Sequence, residues 1–259
     1  MRPLWTGTIG FGLVNIPVKM FSATQGSEID FDMLDKKDLS NIRFMRVNEK
    51  TGKEVEWANI VKGHILNNKY VVLDDKDFEA ASAVKTKVIE ISDFVKEEEI
   101  NSIYFETPYY LAPEKSGVRA YALLKQALIK TGKVGIATFV MRNKEHLAIL
   151  RASEDVIILN QLRFSEEIRD TAELNIATAA VKPTELKMAI SLVNQLSGKF
   201  DIGSYKDTYT AQLMKLIKAK AKGTKTAAPQ MKVVHSKAKD LMEQLKASLG
   251  EKAKTKKAS

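Results

Sequence analysis

The chain of 259 residues contains no cysteine, and this absence excludes several kinds of chemistry at once. Without a thiol there is no disulfide, zinc–thiolate site, iron–sulfur cluster or cysteine nucleophile, which is typical of a protein of a reducing cytosol. No apolar run approaches the ~20 residues that a membrane-spanning helix needs, and the first residues lack the apolar core of a signal peptide. We therefore expect a cytoplasmic protein that has no membrane partner.

Residue patterns that support catalysis are also scarce. The three histidines, His64, His146 and His235, have no second histidine or paired carboxylate at metal-ligand spacing. Residues 51–53 and 131–133 both read Thr-Gly-Lys, but neither has the upstream glycine or the following hydroxyl residue of a phosphate-binding loop. Both are interpreted as turns.

One acidic cluster comprises Asp74, Asp75, Asp77 and Glu79. It lacks the glycine and the terminal glutamate of a calcium loop, and carboxylates grouped in this way are typical of the N-terminus of a short helix. We predict no catalytic residue, no cofactor and no metal site.

The net charge of +9 is concentrated at the end of the chain. From Lys215 onward there are thirteen lysines and three acidic residues, a net charge of +10, whereas the preceding 214 residues carry 28 basic and 29 acidic side chains. A lysine-rich end of this kind favours attraction to a polyanion such as nucleic acid. A tail that only increases solubility is the alternative.

The first half of the chain is rich in predicted strands. Apolar runs alternate with turn residues, and the glycines of residues 7–12 predict bends in a curved sheet, with Pro17 at an edge or bulge. Residues 43–47 and 54–57 flank a polar stretch suited to a hairpin tip. Further strands are predicted at residues 70–73 and 86–91, and a three-strand meander over residues 134–162. Separate short strands of this kind favour a barrel or a sandwich.

Helical periodicity appears in three places. Apolar positions predict a helix between Ser116 and Thr131, ended by Gly132. After Ile168 the strands stop, and two amphipathic helices are predicted, the first opened by Pro183. Their apolar faces, which we expect to take part in dimerisation, consist of Leu186, Ile190, Val193, Tyr209, Leu213 and Ile217.

A moderately basic stretch extends from Lys36 to Lys69 and contains eight basic and four acidic residues. On their own they fit a solvated face as well as a phosphate-contacting one. The candidate DNA-contacting residues are Lys36, Lys37, Arg43, Arg46, Lys50, Lys53, Lys62 and Lys69, together with the tail residues Lys252, Lys254, Lys256 and Lys257.

A short apolar stripe lies beyond a small, polar linker. It consists of Leu241, Met242, Leu245 and Leu249, which share one face of a helix at spacing i, i+1, i+4, i+8. A lone helix of this length is marginally stable in water, so the stripe is better suited to a partner.

Seven motifs lie along the chain in order. They occupy residues 2–18, 47–52, 77–80, 109–111, 121–124, 132–137 and 142–147. Together they resemble bacterial Ku proteins, the homodimeric DNA-end binders of non-homologous end joining, and the resemblance covers about residues 2–217.

The resemblance implies an α+β, mainly β fold with a β-barrel core over residues 1–170. A long excursion at about residues 29–77, called the bridge below, would join that of a second subunit to form a ring around double-stranded DNA. Residues 171–222 would form a helical arm for dimerisation, and residues 223–259 a linker, a helix at about residues 238–249 and a basic tail. That helix resembles the segment that recruits the ATP-dependent end-joining ligase, ligase D.

The leading hypothesis is therefore a non-catalytic clamp that loads onto double-stranded DNA ends for double-strand break repair. One alternative is a general nucleic-acid coating or architectural protein that binds through its basic tail without needing ends. A DNA-processing enzyme is disfavoured because the sequence shows no recognisable metal-binding constellation.

Overall fold

The computed structural model describes residues 1–81, 87–142 and 144–224, which divide into two compact units. The first unit consists of Met1–Gly26 and Asp30–Asp170, and the second of Ser27–Ile29 and the chain from Thr171 onward. No helix among the described residues combines the length and apolar character required to cross a membrane.

The strands and helices of the described residues are as follows. The strands are β1 (Trp5–Phe11), β2 (Val14–Ser22), β3 (Lys62–Leu66), β4 (Lys69–Leu73), β5 (Val88–Lys96), β6 (Phe105–Pro113), β7 (Lys133–Met141), β8 (Lys144–Ala152) and β9 (Ile157–Leu162). The α-helices are α1 (Asp75–Ala81), α2 (Val118–Thr131), α3 (Pro183–Leu196) and α4 (Thr208–Ala221).

Seven of these strands form a closed barrel in the order β1-β2-β6-β9-β8-β7-β5. The barrel closes where β5 pairs in parallel with β1, from Thr8 opposite Val88 to Gly10 opposite Glu90, and its other pairings are antiparallel. Because β7, β8 and β9 are neighbours in sequence and in the sheet, the predicted meander is confirmed.

The barrel core follows from the two-residue period of its strands. On β2, Ile16, Val18 and Met20 are fully buried, while the intervening positions are not. On β8, Ala148 and Leu150 belong to this inner core, whereas Ile149 between them belongs to a second apolar cluster on the outer face. Each fully buried large side chain stabilises the fold by about 1.5–3 kcal/mol.

Helix α2 packs on the barrel through one apolar face. Tyr121, Leu124 and Leu128 are buried at helical spacing, and the helix ends at Gly132, whose φ of 63° lies in the left-handed region. The Tyr121 hydroxyl donates a hydrogen bond to the Leu111 carbonyl and accepts one from the Ile157 amide, both at 2.6 Å. This side chain therefore joins α2 to the ends of β6 and β9.

Several local predictions are refined by the structure. Gly12 has a φ of 57° and forms a tight turn with Leu13 between β1 and β2, where a gentle bend was predicted. Pro17 lies opposite Thr8 on β1. Because the pairing of β2 with β6 begins only at Val18, that pairing needs no amide hydrogen from Pro17.

The strands predicted at residues 43–47 and 54–57 do not form over those lengths. The two segments meet in a single bridge between Val47 and Glu54, and Trp57–Asn59 is a 3-10 turn. A hairpin tip is nevertheless present, because the Asn48 amide donates to the Lys53 carbonyl at 2.8 Å.

The predicted helices are confirmed. Helix α3 begins with Pro183 in its first turn, and the Asp207 side chain caps α4 by accepting from the Thr210 amide. Helix α1 begins at the acidic cluster, where Asp74 and Asp77 exchange hydrogen bonds between carboxylate and backbone amide.

Candidate nucleic-acid interface

The bridge, residues 29–77, has no buried residue. It leaves the barrel after β2 and returns through α1 and β5, and its regular structure consists of two single β-bridges, one 3-10 turn, the hairpin β3–β4 and the start of α1. Side chains of the bridge therefore contact solvent almost everywhere in the single chain.

The first group of candidate cations lies on a tight turn. Leu34 pairs with Asn41, and the Asp35 amide donates to the Ser40 carbonyl at 2.8 Å. The Asp35 carboxylate accepts from the Lys37 amide, so the backbone that carries Lys36 and Lys37 is held at the exposed end of the turn. Hydrogen bonds from Ser40 lower the pKa of Asp38 in the same turn.

The second group surrounds the next hairpin tip. The Asn48 side-chain oxygen accepts from the amides of Lys50 and Thr51 at 3.0 and 3.1 Å, which fixes the tip that carries Lys50 and Lys53. On the arm that leads to this tip, the Arg46 guanidinium lies 4.4 Å from the centroid of the ring of Trp57, which follows the tip. This cation–π contact orients Arg46 while leaving Trp57 72% exposed.

The third group belongs to the hairpin β3–β4. Its register places Lys62, His64 and Lys69 on one face, because Lys62 is opposite Leu73 and Lys69 is opposite Leu66. The two lysines are four pairs apart, or about 13 Å at ~3.3 Å per residue, which corresponds to about four base-pair steps of duplex DNA. The Lys62 ammonium lies 4.6 Å from the centroid of the Phe78 ring.

The eight candidate cations of the bridge remain available to an external anion. Within the described part of the chain, none of them is within 4.0 Å of a carboxylate oxygen; the ion pairs there involve Lys19, Lys96, Lys144, Arg151 and Arg163. Unpaired cations on exposed backbone turns are suited to phosphate oxygens, which lie on the surface of the duplex.

The opposite face of β3–β4 is apolar, and the sequence reasoning did not single it out. Ile65 lies opposite Tyr70, and Val72 lies opposite Gly63 on the same face. Sixteen large hydrophobic side chains of the bridge are between 42% and 79% exposed, among them Phe44 and Trp57. The signal in the sequence is the two-residue spacing of Tyr70 and Val72 on β4, which places both on the face that carries Ile65.

The candidate dimerisation residues lie in the second unit on helices without a buried residue. On α3, Leu186, Ile190 and Val193 are 52%, 51% and 63% exposed. On α4, Tyr209 is 72% exposed, whereas Leu213 and Ile217 are half-buried.

Two further groups of candidate residues fall outside the described residues. They are the apolar stripe Leu241, Met242, Leu245 and Leu249, and the tail lysines Lys252, Lys254, Lys256 and Lys257. In the described ranges, no group of three or more histidine, aspartate or glutamate side chains is arranged to hold a metal ion.

Comparison with known families identifies the barrel. Residues 10–188 match the family model of Ku, described as the Ku70/Ku80 beta-barrel domain. The chain belongs to the Ku family. The predicted family and the mainly β, α+β barrel fold are both confirmed.

Curated members of the Ku family are similar over almost the whole chain. The Non-homologous end joining protein Ku of Coxiella burnetii is 41% identical over 269 residues, which covers 99% of this chain and 97% of that protein. The protein of the same name from Opitutus terrae is 43% identical, with 89% and 85% covered, and that from Archaeoglobus fulgidus is 41% identical, with 96% and 98% covered. Among solved structures, the SPOC domain of human PHD-finger protein 3 aligns with a TM-score of only 0.30 at 10% identity, over 62% of this chain and 95% of that one.

Proposed function

We propose that two copies of this chain form a ring that encircles double-stranded DNA at a broken end and acts in non-homologous end joining. The proposal rests on one observation above all. The bridge contains no buried residue, yet it combines eight cations without an ion pair in the described chain and sixteen exposed large hydrophobic side chains. Family membership and the names of the relatives support the same role.

The apolar side chains of the bridge favour a second copy as partner. Soluble monomers rarely leave so many large apolar side chains in solvent, and a homodimer interface buries the same surface patch on both subunits. Burial against a second bridge would remove much of this surface from water, at about 25 cal/mol per Å². The dimer would then present two sets of bridge cations to one duplex.

The cations favour contact with DNA that is independent of base sequence. Lysine and arginine on turns neutralise phosphates, which carry no base identity. Reading bases would require donors and acceptors held against base edges in the major groove, and the bridge presents no helix with such a set among the described residues. Affinity should therefore depend on salt and on duplex ends, not on base sequence.

The proposed role is non-catalytic, with the chemistry of joining carried out by a partner. By its resemblance, the apolar stripe Leu241, Met242, Leu245 and Leu249 would recruit and stimulate ligase D by laying one helix face into an apolar groove. The tail lysines would add salt-dependent affinity for DNA. Such a protein would work in the cytoplasm, on the nucleoid at DNA breaks.

The decisive experiment compares binding to linear duplex DNA with binding to covalently closed circular duplex of the same sequence. The full chain and a chain that ends at Gly223 are both measured at several salt concentrations. A ring should bind linear DNA in both forms and should fail to load onto circles. Equal binding to both topologies, lost when the tail is removed, would instead indicate the alternative, an architectural protein that binds through its tail.

A further inference from the structure

An apolar cleft of about 290 Å³ opens in the first unit between α2 and the ends of β1 and β5. Phe11 and Phe94 line it from the barrel, and their rings meet edge to face with centroids 5.9 Å apart. Leu124 and Leu128 line it from α2. None of these residues belongs to the bridge or to the helices of the second unit.

A β-bulge places Phe94 in this cleft. On β5, Ile91 is opposite Ala137 and Asp93 is opposite Ile136, so Ser92 is an extra residue in the ladder. Without it, the alternation of the strand would turn Asp93 toward the inner face and Phe94 away from it. Because of the bulge, the ring of Phe94 and not the carboxylate of Asp93 lies on the side that faces α2.

Gly135 makes room for that ring. Phe94 lies opposite Gly135 on β7, and a Cβ atom added to Gly135 would be 3.3 Å from the Phe94 ring. At such a distance, a larger residue would displace the ring. Phe94 nevertheless remains 36% exposed, so its ring forms a wall of the cleft and is not part of the sealed core.

The rim of the cleft is cationic. Lys133, the first residue of β7, lines the edge and forms no ion pair within the described chain. The Thr131 hydroxyl donates a hydrogen bond to the Ala127 carbonyl at 2.8 Å, so its hydrogen atom is already engaged within α2. No carboxylate lines the cleft.

We propose that this cleft binds a short segment of a partner protein that carries bulky apolar side chains flanked by acidic residues. A volume of about 290 Å³ lies at the lower end of ligand sites and suits one or two side chains. The apolar surface continues along α2 to Leu123, which is 65% exposed and lies one turn before Ala127. Lys133 at the rim complements an acidic residue that flanks the apolar side chains, and the inference does not depend on DNA binding.

The test uses defined peptides and the full-length chain. The probe is a fluorescein-labelled peptide, Gly-Glu-Leu-Phe-Glu-Gly, compared by fluorescence anisotropy with Gly-Lys-Leu-Phe-Lys-Gly and Gly-Glu-Ala-Ala-Glu-Gly. We expect the first to bind at least tenfold more tightly than either of the others. Ala127→Phe, which fills the cleft, and Lys133→Glu, which reverses the charge of its rim, should each weaken binding at least tenfold.

The matched control is Arg119→Glu, which also reverses one positive charge at an exposed position of α2. Arg119 is twelve residues before Thr131, or about 18 Å away from it along the helix axis. It should leave peptide binding unchanged. Equal binding of the acidic and basic peptides, or binding that survives in Lys133→Glu, would overturn the proposal even if Ala127→Phe did not fold. A peptide of residues 238–250 of this chain that binds more tightly than the acidic probe would assign the cleft to the chain's own C-terminal segment and would also overturn it.

Discussion

The hydroxyl of Tyr121 lies 2.6 Å from the amide nitrogen of Ile157, thirty-six residues later in the chain. The same hydroxyl donates to the Leu111 carbonyl, so one side chain of α2 serves a donor of β9 and an acceptor of β6 where these two strands pair. Burial raises the pKa of Tyr121, while the bond from the Ile157 amide opposes that rise.

Tyr121→Phe should lower the free energy of unfolding by about 1–3 kcal/mol, because it leaves a buried amide and a buried carbonyl without this partner. The measurement is urea unfolding followed by circular dichroism. Tyr110→Phe is the control, since Tyr110 is half-buried on β6 and its hydroxyl has no hydrogen bond in the described chain. Equal losses in the two variants would show that the hydroxyl of Tyr121 contributes nothing particular.

His146 should make stability depend on pH in weak acid. Burial lowers the pKa of His146 below its usual 6.5, and its ring packs against Phe139 with centroids 5.3 Å apart. Because the unfolded chain then binds the proton more readily than the folded one, this contribution to stability is complete above pH ~6.5 and is lost as the pH falls through and below that value.

The free energy of unfolding should therefore fall more between pH 7.5 and pH 5.5 in the natural chain than in His146→Gln. His64→Gln, at an exposed position on β3, is the control and should keep the full pH dependence. A slope that is unchanged in His146→Gln would contradict the assignment.

Reversing two bridge cations should weaken DNA binding independently of sequence. Arg43→Glu combined with Arg46→Glu removes two phosphate contacts from each subunit, or four from the proposed dimer, so the slope of log affinity against log salt should become shallower by about four. The loss should be the same on two unrelated duplexes, as measured by fluorescence anisotropy. Lys130→Glu with Lys133→Glu matches the change in net charge at a distant place on the barrel and should leave this slope unchanged.

Apolar residues on α3 should determine the oligomeric state. Ile190→Asp with Val193→Asp places two charges in the exposed apolar stripe, and burying them in an interface would cost several kcal/mol. Light scattering should then give the 28.9 kDa of one chain, whereas the natural protein should give about twice that mass. Lys187→Asp with Ser191→Asp changes exposed polar positions on another face of α3 and should preserve the dimer.

The C-terminal stripe should be separable from DNA binding. Leu245→Asp introduces an unpaired charge among the four apolar residues and should cost several kcal/mol of binding to ligase D, by order of magnitude. Gln244→Asp, the neighbouring polar position, is the control. A ligase pull-down and a shift assay on linear DNA separate the two roles: if Leu245→Asp retained the ligase, or lost both activities together, the stripe would not be an independent recruitment element.

Elements whose signal is local could be predicted from the amino-acid sequence. Tyr121, Leu124 and Leu128 repeat at helical spacing, and the strands of the meander are joined by short connections, which favour antiparallel pairing of neighbours in the chain. Alternation of apolar and polar residues predicts which face of a strand is buried, because side-chain direction follows from the backbone alone. The family, too, could be recognised from motifs spread along the chain.

Relationships between segments that are distant in the sequence could not be predicted in this way, because they form only when the chain folds. The parallel pairing of Thr8 with Val88 closes the barrel across eighty residues, and no local preference encodes that register. The bulge at Ser92, which moves Phe94 to the inner face, and the contact of Arg46 with Trp57 likewise depend on partners brought together by folding. The sequence shows which side chains are apolar or charged. Whether an apolar side chain is buried depends on the other segments that pack over it in the folded chain. In the single chain, no segment buries the side chains of the bridge.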